Sequence, residues 1–139
     1  MKDCKALIIG GSAGSLDVLL KVLPGIDRAI TFPIVIVIHR KKGTDSLLAD
    51  LLSTKTILNV KEAEENEGLF AGTIYIVPSD YHLFIEKDFT ISLDSSEKVN
   101  YSRPSIDVTF HAAAEVYGEK LACILLSGSN SDGVNGLIS

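Results

Sequence analysis

The sequence contains no tryptophan, one methionine, four prolines and two cysteines, and aromatic residues fill only 6% of its 139 positions. Each scarcity excludes something. Cys4 and Cys123 stand in or beside apolar runs and lack the CxxC or Cys/His spacing of a zinc site, so two buried thiols are expected and no metal. Basic residues are outnumbered 13 to 18, and the net charge of −5 argues against a nucleic-acid partner, whose phosphates demand a basic surface. The apolar run before Gly10-Gly11 is too short for a signal peptide or a membrane span, so a cytoplasmic chain without membrane insertion is expected. Internal repeats, low-complexity tracts and interdomain linkers are also missing, which leaves one compact domain.

What the chain does have is 46% hydrophobic residues, mostly Ile, Leu, Val and Ala. That mix suits strands buried on both faces under helices and predicts an α/β fold: a doubly wound, mostly parallel sheet with helices on both faces. Lys5 to Ile9 reads as a strand ending at a Gly10-Gly11 turn, and Leu16, Leu19, Leu20 and Leu23 recur at helical spacing up to Pro24-Gly25. Ile34 to Ile38 is a second buried strand, completing a βαβ unit. Thr44 is a candidate N-cap for a helix with Leu47, Leu48, Leu51 and Leu52 on one face. Short runs at 57–60, 73–77, 81–85 and 89–93 then predict strands and a β-hairpin section in the middle of the chain, with the acidic stretch Glu62 to Glu67 as a solvated turn. Ser105 is placed to cap a helix carrying Ile106, Phe110, Ala113, Ala114 and Tyr117 on one face, stopped by Gly118. Leu121 to Leu126 predicts another buried strand. Only six residues follow Gly133, too few for a crossover helix and its return strand, so a domain over 1–139 that is incomplete at its C-terminus is expected.

In a doubly wound sheet the ligand crevice lies outside the carboxyl ends of the strands, so the residues leaving each strand carry the chemistry. Three strand ends stand out: Gly10 to Ser15 with Ser12, His39 after five consecutive aliphatic residues, and Ser127 to Gly133 with Asp132. A serine hydroxyl becomes a nucleophile when an imidazole takes its proton, and the imidazole works best when a carboxylate fixes its tautomer. Ser12, His39 and Asp132 supply those three groups. Taken singly, each has a plainer reading: a helix cap, a histidine satisfied at a strand end, a turn aspartate. A nucleotide-binding loop at Gly10 to Ser15 fits less well. The stretch matches neither GxGxxG nor GxxxxGK[ST], and strand two ends in His39 where a dinucleotide site wants an acid. A calcium loop around Asp132 would begin at Gly128 and end at Ser139, neither of them a carboxylate. His82 and His111 have no second ligand at metal spacing and read as structural or surface residues, so no cofactor is expected.

These segments, in this order, resemble the catalytic domain of the chemotaxis protein-glutamate methylesterases. Gly10 to Ser15 matches that family's Gly-Ala-Ser-Thr-Gly-Gly turn, His39 its strand-end histidine, and Gly128 to Gly133 its Gly-Met-Gly-x-Asp-Gly loop. Val60 to Ala63 with Gly68, Ile74 to Pro78, Tyr81 to Leu83 and Arg103 to Val108 with Phe110 also resemble family segments. The chain departs from the pattern at Ala13, Ser15, Arg40, Lys41, Ser129 and Asn130. The resemblance implies a cytoplasmic, phosphorelay-linked hydrolase that removes γ-methyl groups from glutamates on the cytoplasmic helical region of methyl-accepting chemoreceptors, and deamidates certain glutamines there. It implies a Ser12-His39-Asp132 triad without cofactor, backbone amides of Ala13 and Ser129 at the oxyanion, and Arg103 as a polar substrate contact. Family members usually carry a receiver domain as well; none is expected within 1–139, and one is an expected partner in the parent protein. Two further classes stay open: a non-catalytic signalling module that binds receptors with the same fold, and the nucleotide-binding module.

Overall fold

The computed structural model describes residues 4–39, 45–95 and 104–126. Five strands form one sheet in the order β3-β4-β2-β1-β7: β1 Ala6–Ser12, β2 Ile34–His39, β3 Asn59–Glu62, β4 Thr73–Ile76 and β7 Leu121–Leu125. All four pairings are parallel. The two remaining strands, β5 His82–Ile85 and β6 Ile91–Asp94, make an antiparallel hairpin.

Alternation along the strands divides the core into two layers. Leu7, Ile9, Ile34, Ile36, Ile38, Ile74 and Ile76 pack with Leu19 and Leu23, and with Leu48 and Leu52. These last residues come from helix α1, Leu16–Val22, its 3-10 extension Leu23–Gly25, and helix α2, Asp45–Ser53. On the opposite face Ile8, Val35, Val37, Tyr75 and Val77 meet Leu83, Ile85 and Ile91 of the hairpin and Ile106, Phe110 and Ala113. Those three belong to helix α3, Ile106–Tyr117. Helices therefore cover both faces, and the doubly wound arrangement expected from the aliphatic composition is the one found.

Several boundaries differ from the sequence reading. Gly10 and Gly11 do not turn; they continue β1 in register with Val37 and Ile38 of β2. Both are glycine because there is no room for more: a Cβ on Gly10 would lie 2.5 Å from Ile106 Cγ2, and one on Gly11 2.7 Å from Ser15 Oγ. The apolar face of α2 is narrower than expected, since Leu48 and Leu52 are buried while Leu47 is 68% exposed. β3 starts at Asn59, leaving Ile57 outside, and Phe89 stands in the hairpin turn with φ 64°. Strand β7 is less buried than expected: its residues are half-covered and Ile124 is exposed. Thr44 lies outside the described residues.

The acidic stretch is anchored rather than merely solvated. Lys61 pairs with Glu64 and Glu67, Glu67 Oε1 accepts from the Glu64 amide at 2.9 Å, and Glu65 Oε2 accepts from the Leu93 amide at 2.9 Å. The hydrogen bond to Glu67 raises the Lys61 pKa. Cys4 is buried and Cys123 half-buried, and both are free thiols. Burial pushes the Cys123 thiol up to about 11, which favours the neutral thiol at pH 7.

Ser105 caps α3 as its position suggests: its hydroxyl accepts from the Val108 amide at 3.3 Å, and Gly118 ends the helix at φ 57°. Ser105→Ala is expected to lower the unfolding free energy by about 1 kcal/mol, the usual worth of an N-cap. An unchanged urea midpoint would show that the cap contributes nothing here.

Candidate active site

Strand order locates the crevice. The chain passes from β1 to β2 on one side and returns through β7 on the other, so β1 lies at the topological switch point and its carboxyl end opens into the crevice. Ser12 is the last residue of β1, and His39 is the last residue of β2. The two are register partners, Ser12 opposite His39, on adjacent parallel strands about 4.8 Å apart.

Alternation places both residues on the same face. Ser12 has the parity of Ile8 and His39 that of Val35 and Val37, which pack against α3. Both are partly exposed at the edge, accessible to a substrate yet set on a rigid sheet.

The turn after Ser12 is built to hold it. Ala13–Ser15 forms a 3-10 turn leading directly into α1. Ser15 is almost fully buried, and its hydroxyl accepts from the Ser12 amide at 3.1 Å. The Ser15 departure from the family pattern is thus accommodated: Gly11 leaves room for the hydroxyl, which closes the turn. With the Ser12 amide engaged, the next backbone donor is that of Ala13. Gly14 lies beside the hydroxyl, since a Cβ there would be 3.7 Å from Ser12 Oγ.

Strand β7 runs alongside β1 toward the same edge, and the Leu126 amide donates to Gly10 O at 2.9 Å. Ser129 and Asp132 follow in the sequence, and like Arg103 they lie outside the described residues. Of the expected site residues the structure therefore brings together Ser12 and His39, with the Ala13 backbone beside them. Among the described residues no three His, Cys, Asp or Glu side chains cluster as a metal site would require. No described helix is long and apolar enough to cross a membrane.

The sequence reading missed a set of buried polar residues beside this edge. His82 is 1% exposed and its Nδ1 accepts from the Ser105 amide at 3.1 Å; Thr109, fully buried, donates its hydroxyl to Leu83 O at 3.1 Å. His82 is thus an interior residue, whereas His111 is on the surface. The available signal was polar spacing within α3, where Ser105, Asp107 and Thr109 fall among residues that pack on the sheet.

A doubly wound, parallel sheet covered by helices, with a small antiparallel hairpin, defines the class, an α/β domain. The particular family follows from comparison with known proteins. The family model described as CheB methylesterase matches residues 7–139. A Leptospira interrogans protein named "Putative protein-glutamate methylesterase/protein-glutamine glutaminase" is 44% identical over 133 residues, covering 96% of this chain and 69% of its own length. A Thermotoga maritima protein-glutamate methylesterase/protein-glutamine glutaminase is 36% identical over 135 residues, 95% of this chain and 39% of the relative. The crystal structure of the Thermotoga maritima CheB methylesterase catalytic domain superposes with a TM-score of 0.92 at 36% identity, covering 97% of this chain and 73% of that one. The chain belongs to the CheB methylesterase family.

Proposed function

We propose that residues 1–139 form the catalytic portion of a cytoplasmic protein-glutamate methylesterase, a carboxylic ester hydrolase acting on chemoreceptors in chemotactic adaptation. The pairing of Ser12 with His39 at the switch point carries this reading. Ser12 Oγ attacks the ester carbonyl carbon of a methylated glutamate while His39 takes the hydroxyl proton. The tetrahedral oxyanion is held by the backbone amides of Ala13 and Ser129. Collapse breaks the bond to the methoxy oxygen, and His39 returns the proton to release methanol. Water then attacks the acyl-enzyme with His39 as base, freeing glutamate and Ser12. Asp132 holds the His39 tautomer and steadies the imidazolium. A glutamine amide would follow the same course with ammonia as leaving group.

The substrate is the cytoplasmic helical region of methyl-accepting chemoreceptors, with Arg103 as a polar contact. A receiver or other signalling domain of the parent protein is the regulatory partner. The relatives' names and the strand-end placement of the two catalytic groups support this assignment together.

The test is methanol release from a methylated receptor fragment by the full-length protein, with fluorophosphonate labelling followed by peptide mass analysis. Turnover with the label on Ser12 is the expected result. Receptor binding without methanol release or labelling would instead identify a non-catalytic signalling module. Nucleotide binding that protects Gly10 to Ser15 from proteolysis would identify the nucleotide-binding alternative.

A further inference from the structure

The polar residues between β5 and α3 have a place in the fold that ties them to Ser12. Strand β4 ends at the carboxyl edge of the sheet, and the turn through Asp80, with φ 72°, delivers the chain to β5 at His82. There, two hydrogen bonds link β5 to the beginning of α3. The Ser105 amide donates to His82 Nδ1 at 3.1 Å, and the Thr109 hydroxyl donates to Leu83 O at 3.1 Å. Because Nδ1 accepts, the buried imidazole carries its ring proton on Nε2. The residue after Ser105 is Ile106, and Ile106 covers Gly10 closely enough that a Cβ on the glycine would meet its Cγ2 at 2.5 Å. Gly10 is two residues before Ser12 on the same strand face.

We infer that His82 and Thr109 are positioning residues for the hydrolase site: they clamp the first turn of α3 so that Ile106 bears on Gly10 and fixes the carboxyl end of β1, and with it Ser12 relative to His39. This rests on the methylesterase reading of Ser12 and His39. The clamp touches neither substrate nor reacting atoms, and it acts on the chemical step rather than on receptor binding. A displacement of the nucleophile by about 1 Å is enough to cost roughly 100-fold in rate.

The experiment is steady-state methanol release by the full-length protein carrying His82→Leu, His82→Asn or Thr109→Val, with thermal melts to establish that each variant is folded at the assay temperature. His82→Leu removes the acceptor and is expected to lower kcat about tenfold or more with KM little changed. His82→Asn places Oδ1 where Nδ1 stood and is expected to recover most of that loss. Thr109→Val keeps side-chain volume, breaks the second tie, and is expected to lower kcat in the same direction. Should His82→Leu fail to fold, Thr109→Val decides by itself. An unchanged kcat in the folded variants, or a loss that His82→Asn does not recover, overturns the inference while wild-type methanol release leaves the methylesterase reading standing. Absence of methanol release in the wild type, with no fluorophosphonate label on Ser12, overturns both.

Discussion

Ser12→Ala in the full-length protein is expected to lower kcat for methanol release by about 10⁴-fold or more, the scale seen when the nucleophile of a hydrolytic triad is removed. Such a loss corresponds to about 5.5 kcal/mol of transition-state stabilisation at about 1.4 kcal/mol per factor of ten. KM should change little, because the hydroxyl's contribution arises when the bond to the carbonyl carbon forms. Stability should also be nearly unaffected. The closure of the turn uses the Ser12 backbone amide and the Ser15 hydroxyl, neither of which the substitution removes. The combination of lost turnover, retained receptor binding and an unshifted melting temperature distinguishes a catalytic serine from a helix-entry serine. A variant that keeps more than about a tenth of the wild-type kcat would remove Ser12 from the mechanism.

Gly10→Ala is the smallest substitution in the core with a large expected effect. The new Cβ would stand 2.5 Å from Ile106 Cγ2 and 3.3 Å from Cδ1 and Cγ1, on a β-branched side chain that cannot swing aside. Either α3 lifts from the sheet or β1 bends, at a cost of about 1–3 kcal/mol for overpacking of this kind. Ile106→Ala alone should cost about 2–5 kcal/mol through the cavity it leaves. The double variant should lose less than the sum of the two, since the alanine methyl occupies part of the space the isoleucine vacates. Additive losses in urea denaturation would show that Gly10 and Ile106 do not bear on one another.

Much of this architecture is legible in the residue pattern. The aliphatic run at 34–38 reads as a strand buried on both faces and the run at 73–77 as a further strand, and the cap at Ser105 with the stop at Gly118 brackets α3 to the residue. Ser12 and His39 were legible as strand-end candidates too, because a doubly wound sheet directs attention to whatever leaves the strand ends. Local patterns were less informative where the deciding contact comes from elsewhere. Gly10-Gly11 has turn chemistry, yet it forms strand because it pairs in register with Val37 and Ile38 of β2, and it is glycine because Ile106 and Ser15 occupy the space a side chain would need. Leu47 and Leu48 are the same residue in neighbouring positions, and only the placement of α2 against the sheet exposes one and buries the other.

The sequence by itself determined the fold class, the order of the elements and the identities of Ser12 and His39 as candidate partners, because periodicity, caps and strand-end chemistry are local properties. The tertiary structure alone decided that Ser12 stands opposite His39, that Ser15 engages the Ser12 amide, and that His82 reaches the start of α3. Register, a buried hydrogen bond across two elements and the fit of a methyl group against a glycine depend on how separate segments pack, and no stretch of sequence contains that information on its own.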